Sequence, residues 1–211
     1  MKSASLSFLT RLATGVRLAS DLPVPAAPRL YFANHSSHLD FVVIWSALPK
    51  LLRARTRPVA AAEYWEGDAL RRCLADRVFN AVLIPRNPAR MRKENPVELM
   101  HEAVANDADL ILFPEGTRSR SGHVAPFKPG FYHLASRHPE IELVPVYLEN
   151  LNRILPKGEH VPIPLMGRVE FGEPIAGPAP GEDKSDFLQR SRMAVIELSR
   201  GNLTISPDEG S

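Results

Sequence analysis

A histidine and an aspartate stand five positions apart in the segment His35-Ser36-Ser37-His38-Leu39-Asp40. Imidazole is the commonest side-chain base at neutral pH, and a neighbouring carboxylate fixes its tautomer and stabilises its charged form. The pair therefore indicates a site that removes a proton from a substrate hydroxyl. A helix start with an incidental histidine explains these six residues equally well when they are taken alone.

The spacing limits how the two side chains can meet. Within one continuous helix, five residues turn by about 500°, which leaves roughly 140° between His35 and Asp40. The apolar runs Leu30–Ala33 and Phe41–Trp45 flank the pair and predict a strand before it and a helix after it. The side chains can meet if His35 lies on the strand-end loop and Asp40 in the first turn of the helix.

Two arginines also follow apolar runs that predict strands. Arg86 ends the segment Asn80–Arg86, and Arg118 lies within Phe113–Ser119 beside Glu115 and Gly116. Ligands of open α/β sheets bind outside the strand ends, so the two guanidinium groups are candidates to clamp one phosphate. Gly116 would allow close backbone approach, and Glu115 would accept a bond from a substrate hydroxyl or orient Arg118. Taken singly, each arginine fits a surface ion pair as well.

A further pattern is the proline that interrupts the apolar run Val144-Pro145-Val146. Proline within a strand predicts a sheet edge or a bulge. The segment is either an ordinary strand end or part of the wall of an acyl channel.

The elements that must position these residues alternate along the chain. Strands alternating with helices predict an α/β fold, as a single layered domain with a central, largely parallel or mixed sheet flanked by helices. The segment Asn95-Pro96-Val97-Glu98 is typical of a helix start. The predicted strands are 30–33, 58–62, 81–84, 110–113, 141–148 and 169–171, and the predicted helices are 40–48, 68–74, 95–104, 130–137 and 187–198.

Charge and composition limit the kinds of partner that the protein could bind. Residues 50–93 hold 11 Lys/Arg and 4 Asp/Glu, within a chain of 211 residues whose net charge is only +2. This basic segment predicts an anionic partner: phosphate, a phospholipid surface or nucleic acid. We do not expect nucleic-acid binding, because aromatic content is 7% and no recognised motif accompanies the charge. The single cysteine excludes an internal disulfide framework.

Membrane contact is expected to be peripheral. No run approaches the roughly 18–20 apolar residues that span a bilayer, and the N-terminus shows no secretory signal. Residues 5–19 place apolar side chains at helical spacing among arginines, which fits a basic amphipathic helix on a membrane or a helix packed on the protein's own core. We expect a cytoplasmic protein, peripheral on the cytoplasmic face of the membrane.

Four of these blocks together resemble a known family. The segments His35–Asp40, Val82–Arg86, Phe113–Ser119 and Val144–Val146 stand in the order and approximate spacing of the glycerolipid acyltransferases, the family of 1-acyl-sn-glycerol-3-phosphate acyltransferase. The resemblance covers about residues 29–175, which would form the acyltransferase domain. Residues 1–28 would then be an N-terminal amphipathic helix and linker, and residues 176–211 a linker, a C-terminal helix and a frayed tail.

The resemblance implies a reaction. A fatty acyl chain would pass from an acyl thioester to the free hydroxyl of a lysophospholipid, with 1-acyl-sn-glycerol 3-phosphate as acceptor and phosphatidic acid as product. The acyl carrier, acyl-CoA or acyl carrier protein, would be a substrate, and no cofactor or metal is expected. A His-x2-His metal site at His35 and His38 is short of ligands.

The resemblance also implies residue roles. His35 would be the general base, with Asp40 orienting it. The other implied sites are an acceptor site formed by Arg86, Glu115, Gly116, Thr117 and Arg118, and an acyl-donor site shaped by Val144, Pro145 and Val146.

The chain departs from the family at two points. Asn80 stands where members often have glycine, which puts the local turn in question. Many members also have a longer hydrophobic N-terminal anchor. Two alternatives stay open at this stage. The acceptor could be another lysolipid, such as a lyso-ornithine lipid, lysophosphatidylethanolamine or glycerol 3-phosphate, or the protein could bind anionic lipid without catalysis.

Overall fold

The computed structural model describes residues 7, 8, 10, 22, 25, 27–37, 40–119, 123–149 and 168–200. Three predictions fall outside these residues. They concern most of the helix 5–19, the metal site at His38, and the tail from residue 201.

A mixed sheet of six strands forms the centre of the described chain, in the order β3-β2-β4-β1-β5-β6. The first five strands in this order are parallel to their neighbours, and β6 runs antiparallel to β5. The predicted α/β fold is therefore confirmed. The strands are β1 (Arg29–Ala33), β2 (Thr56–Ala61), β3 (Val82–Ile84), β4 (Asp109–Leu112), β5 (Glu142–Glu149) and β6 (Arg168–Phe171).

Helices connect and cover these strands. Asn95 caps its helix as its sequence predicts, because its side chain accepts the Val97 N–H. The helices are α1 (Asp40–Ala47), α2 (Lys50–Arg55), α3 (Ala62–Trp65), α4 (Ala69–Leu74), α5 (Pro88–Met91), α6 (Pro96–Ala105), α7 (Pro129–Arg137) and α8 (Lys184–Arg200), and a π-helical turn (Ala75–Phe79) follows α4. Within the described residues, none of the helices is both long and apolar enough to cross a bilayer.

The core lies on both faces of the sheet. Side chains alternate along β1, so Leu30 and Phe32 join one hydrophobic cluster while Tyr31 and Ala33 join another. The first cluster packs under α6, α7 and α8, and includes Phe187 of α8. The second packs under α1. The C-terminal helix thus shares the core of the sheet.

The proline of β5 does not mark a sheet edge, so that prediction was wrong. Strand β5 lies between β1 and β6, and Pro145 is in register with Phe32. The Gly172 N–H donates to the Pro145 carbonyl at 2.9 Å, so the nitrogen of Pro145 faces the same side. Regular pairing with β6 ends one residue later along β5, at Val146 opposite Phe171. The missing N–H therefore falls where β6 leaves the sheet, which explains why proline is tolerated there.

Charged groups are buried at the amino-terminal edge of the sheet. Asp109 begins β4, is fully buried and accepts the Arg29 N–H at 2.8 Å. Arg55, at the end of α2, approaches the same carboxylate to 3.1 Å. These contacts join the starts of β1, β2 and β4.

Candidate active site

The predicted site residues converge on the carboxyl edge of the sheet. His35 lies two residues beyond β1, Arg86 two residues beyond β3, and the segment Glu115–Arg118 follows β4. Because these strands are parallel, the loops that follow them emerge at the same edge.

His35 and Asp40 meet as the spacing predicts. Asp40 is the first residue of α1 and is fully buried, and its Oδ2 lies 2.8 Å from Nδ1 of His35. The same oxygen accepts the N–H groups of Ser36 at 2.6 Å and Ser37 at 2.8 Å. The carboxylate therefore fixes both the imidazole and the loop that carries it. The catalytic role of the pair stays a prediction.

Contacts with the loop after β4 hold His35 from the other side. Its ring stacks on Phe113, with centroids 4.3 Å apart and planes 19° apart. The Ser119 N–H donates to the His35 carbonyl at 2.8 Å. A backbone hydrogen bond thus joins the segment His35–Asp40 to the segment Phe113–Ser119.

Glu115 bonds to backbone groups of two other segments of the chain, and its role in acceptor binding stays a prediction. Its side chain is buried, with 3% of the residue exposed. One carboxylate oxygen accepts the His35 N–H at 2.7 Å and the other accepts the Ala125 N–H at 2.9 Å. Burial raises the pKa of Glu115, and these two bonds oppose that shift. Both oxygens bind backbone within the described chain, so the carboxylate supports the loop that holds His35.

Arg86 and Arg118 present exposed guanidinium groups at this edge. Both residues are exposed, and neither guanidinium forms an ion pair or hydrogen bond with another described residue. Strand β2 separates β3 from β4, so the strands that carry the two arginines lie about 10 Å apart. Arg118, next to Ser119, is adjacent to the His35 backbone, and Arg86 approaches from farther along the edge. Thr117 is exposed beside Arg118.

The turn that leads into β3 holds Asn80 in a left-handed conformation, with φ 48° and ψ 46°. Glycine adopts this conformation readily, and asparagine is one of the few other residues that tolerate it. The replacement of the family's usual glycine is therefore compatible with the turn before Arg86.

Lys128 is a further cation that the sequence reasoning missed. Gly116 has φ +68°, and a Cβ built on it would lie 2.7 Å from the Lys128 Nζ. The Lys128 N–H also donates to the Pro114 carbonyl at 2.9 Å. The lysine side chain therefore lies directly against the loop that carries Arg118. The available signal was a basic residue just before Pro129, at a helix start.

The segment Val144–Val146 lies in the core beneath this edge. Val144 and Val146 are buried in the cluster on the α1 face, and Val146 is level with Ala33 of β1. Their side chains are therefore close to the end of the strand that leads to His35.

The described residues contain no group of three or more His, Cys, Asp or Glu side chains that could hold a metal ion. The chemistry that this arrangement supports is proton transfer at His35 beside a site for an anion.

The sequence matches a family model and is similar to curated proteins. A family model described as Acyltransferase matches residues 16–149. The chain is 30% identical over 151 residues to the 1-acyl-sn-glycerol-3-phosphate acyltransferase alpha of Homo sapiens, an alignment covering 69% of this chain and 48% of that protein. It is 30% identical over 154 residues to the 1-acyl-sn-glycerol-3-phosphate acyltransferase of Limnanthes douglasii, covering 69% and 50%. The chain thus spans about half the length of these relatives.

The fold is also similar to that of a solved structure. The crystal structure of the 1-acyl-sn-glycerophosphate (LPA) acyltransferase PlsC from Thermotoga maritima matches with a TM-score of 0.71, covering 96% of this chain and 80% of that chain. Sequence identity is 18%, so this likeness establishes the fold.

Proposed function

The chain belongs to the acyltransferase family, and we propose that it transfers a fatty acyl chain from a thioester to the free hydroxyl of 1-acyl-sn-glycerol 3-phosphate, giving phosphatidic acid. One observation carries the proposal. The His35 imidazole, 2.8 Å from the buried Asp40 carboxylate, is held by the same loop that presents Arg118. We infer the identity of the acceptor from the relatives named above, which are 1-acyl-sn-glycerol-3-phosphate acyltransferases.

The base acts through the outer nitrogen of its ring. The Nδ1–H of His35 donates a hydrogen bond to the Asp40 carboxylate, which leaves Nε2 free of a proton and able to accept that of the acceptor hydroxyl. The hydroxyl oxygen attacks the thioester carbonyl carbon, and Asp40 stabilises the imidazolium that forms. The tetrahedral intermediate then expels the thiolate, which takes the proton from the imidazolium. General base catalysis of this kind contributes about 10²–10⁴-fold.

The acceptor phosphate binds to the cations of the carboxyl edge. Arg86 and Arg118 supply planar donors that suit phosphate oxygens, and Lys128 adds a third positive charge. Gly116 and Thr117 lie within the same loop, where backbone and hydroxyl donors are available. Binding the phosphate holds the acceptor hydroxyl at His35, so that a bimolecular step becomes effectively unimolecular. Glu115 acts as a positioning residue through the His35 N–H.

The acyl donor occupies the side of the site next to β5. Val144 and Val146 support the apolar wall there from the core beneath the edge, and Pro145 fixes the strand between them. Acyl-CoA and acyl carrier protein are both suitable carriers, and each is consumed as a substrate. Residues 29–175 carry the four motif segments of the acyltransferase domain, and helix α8 completes its core. The domain acts as a peripheral protein on the cytoplasmic face of the membrane.

The decisive experiment is a matrix of acyl-CoA and acyl carrier protein donors against lysolipid acceptors, with His35→Ala as the blank. We expect turnover with lysophosphatidic acid and its near-complete loss in His35→Ala. His133→Ala is the matched control, because His133 is an exposed histidine on α7, away from the site. If His35→Ala kept wild-type turnover, the assignment of His35 as the general base would be wrong. A preference for lysophosphatidylethanolamine or a lyso-ornithine lipid would keep the reaction and change the acceptor.

A further inference from the structure

The segment between β2 and α6 exposes large apolar side chains close to the site. Leu70 of α4 is 70% exposed, Met91 of α5 is 42% exposed and Tyr64 of α3 is 38% exposed. None of the six residues of α4 is buried. Exposed apolar groups that are clustered on one region of a surface mark interaction sites.

Polar contacts join the three short helices α3, α4 and α5, which together we name the α3–α5 surface. The Arg90 guanidinium of α5 binds both oxygens of Glu66, at the end of α3, at 2.6 and 3.1 Å. The Arg71 guanidinium of α4 lies over the Tyr64 ring, 4.5 Å from its centroid, and bonds the Asp68 carboxylate. The three helices that carry the exposed apolar side chains are therefore connected to one another.

This surface carries excess positive charge. Residues 62–93 contain seven Lys/Arg and four Asp/Glu. Three of the four carboxylates already accept hydrogen bonds within the protein. Glu66 and Asp68 accept from arginine side chains, and Glu63 accepts from backbone N–H groups. The exposed cations that form no ion pair with another described residue are Arg72, Arg77, Arg86, Arg92 and Lys93.

The surface also borders the site. Trp65 of α3 packs against Phe41, the residue after Asp40, with ring centroids 5.4 Å apart. Glu63 accepts the Arg86 N–H at 2.7 Å. A partner bound to the α3–α5 surface would therefore lie next to the proposed acceptor site.

We propose that the α3–α5 surface docks on an anionic lipid bilayer, with Leu70, Met91 and Tyr64 entering the interface. The cations that face the lipid phosphates are Arg72, Arg77, Arg92 and Lys93. Apolar side chains flanked by cations without acidic partners have the chemistry that such an interface selects. The inference rests on the proposed function in one respect, that a lysophospholipid acceptor resides in a bilayer. Docking here would bring its head group to the carboxyl edge of the sheet.

The test compares two matched double variants of the full chain. Leu70→Ser/Arg72→Gln changes the surface. Leu51→Ser/Lys50→Gln removes an equally exposed leucine, 71% against 70%, and an exposed lysine from α2, which leads into the amino-terminal edge of the sheet. Partition into phosphatidylglycerol-containing and pure phosphatidylcholine vesicles is measured by cosedimentation. We expect about a tenfold loss of binding to the anionic vesicles for the first variant and wild-type binding for the second.

Equal partition of the two variants would overturn the proposal. So would unchanged vesicle binding together with lost binding of an acidic acyl carrier protein, because the surface would then serve a protein partner. Vesicle binding needs no acyl transfer, so absence of turnover with every acceptor would reject the proposed function separately. Turnover of a short-chain, monomeric lysophosphatidic acid should be the same in Leu70→Ser/Arg72→Gln as in wild type, whereas turnover of vesicle-borne acceptor should fall. If Leu70→Ser/Arg72→Gln turned over the vesicle-borne acceptor as fast as wild type does, docking at this surface would also be contradicted.

Discussion

At the residue scale, two buried carboxylates position one histidine. Asp40 binds the His35 ring and the N–H groups that follow it, and Glu115 binds the His35 N–H. The sequence predicted the first of these contacts, because five-residue spacing across a strand-to-helix junction allows it. It did not predict the second, since the partner of Glu115 is a backbone group 80 positions away.

Glu115→Gln separates positioning from acceptor binding. The amide keeps one oxygen, so either the His35 N–H or the Ala125 N–H loses its acceptor and unfolding becomes easier by about 1–3 kcal/mol. Because the loop that carries the base is loosened, we expect kcat to fall while the KM for lysophosphatidic acid changes little. Steady-state kinetics and urea unfolding provide the two measurements.

The opposite kinetic pattern would contradict this role. A large rise in KM at unchanged kcat would mean that Glu115 contacts the acceptor. Glu173→Gln, at an exposed glutamate after β6, is a suitable control and should alter neither constant.

At the element scale, local patterns predicted the elements but not their order. The apolar run at Leu110–Phe113 gave β4 within one residue, and the Asn95-Pro96 start gave α6. The helices α3 and α5 escaped prediction because four residues carry too little periodicity. The six-residue helix α2 was missed as well, whereas α4, of equal length, was predicted from the aspartate at its start. Strand order depends on which faces pack together across the whole chain, which local patterns do not contain. The position of Lys128 against Gly116 was missed for the same reason.

The turn at Asn80 gives an element-scale prediction. Because Asn80 has φ 48°, Asn80→Ala keeps the Cβ in a left-handed conformation that costs roughly 1–2 kcal/mol and loses the short polar side chain that makes asparagine tolerant of it, whereas Asn80→Gly removes the Cβ. We expect Asn80→Ala to lower the free energy of unfolding by about 1 kcal/mol and Asn80→Gly to stay within about 0.5 kcal/mol of wild type. Urea denaturation measures both. Equal destabilisation by the two variants would show that the asparagine side chain, and not the backbone conformation, stabilises the turn.

At the scale of the whole molecule, the two edges of the sheet differ in chemistry. The carboxyl edge presents exposed cations beside His35, whereas the amino edge buries Asp109 and Arg29 beside the partly exposed Arg55. Tyr31 lies buried between the edges, and burial raises its pKa to about 12, with a smaller contribution from the charge of Asp109.

The raised pKa of Tyr31 predicts a loss of stability in alkali. The unfolded chain releases the phenol proton near pH 10, while the folded protein retains it up to about pH 12, so stability falls as pH rises through this window. Between pH 9 and pH 11 we expect a loss of about 1.3 kcal/mol that Tyr31→Phe does not show. The measurement is the difference between the two proteins' unfolding free energies at each pH. Parallel pH profiles would mean that the phenol titrates alike in the folded and unfolded chains.

The central position of β1 has a consequence for how the protein is made. Both neighbours of this strand, β4 and β5, are synthesised later, with Leu30 paired to Leu110 and to Leu143. A nascent chain that has not yet reached residue 109 therefore carries the His35 strand without either hydrogen-bonding partner, exposing its apolar residues to chaperones and to aggregation. His35 is translated early, but the ribosome must deliver more than half of the chain before the candidate site can assemble.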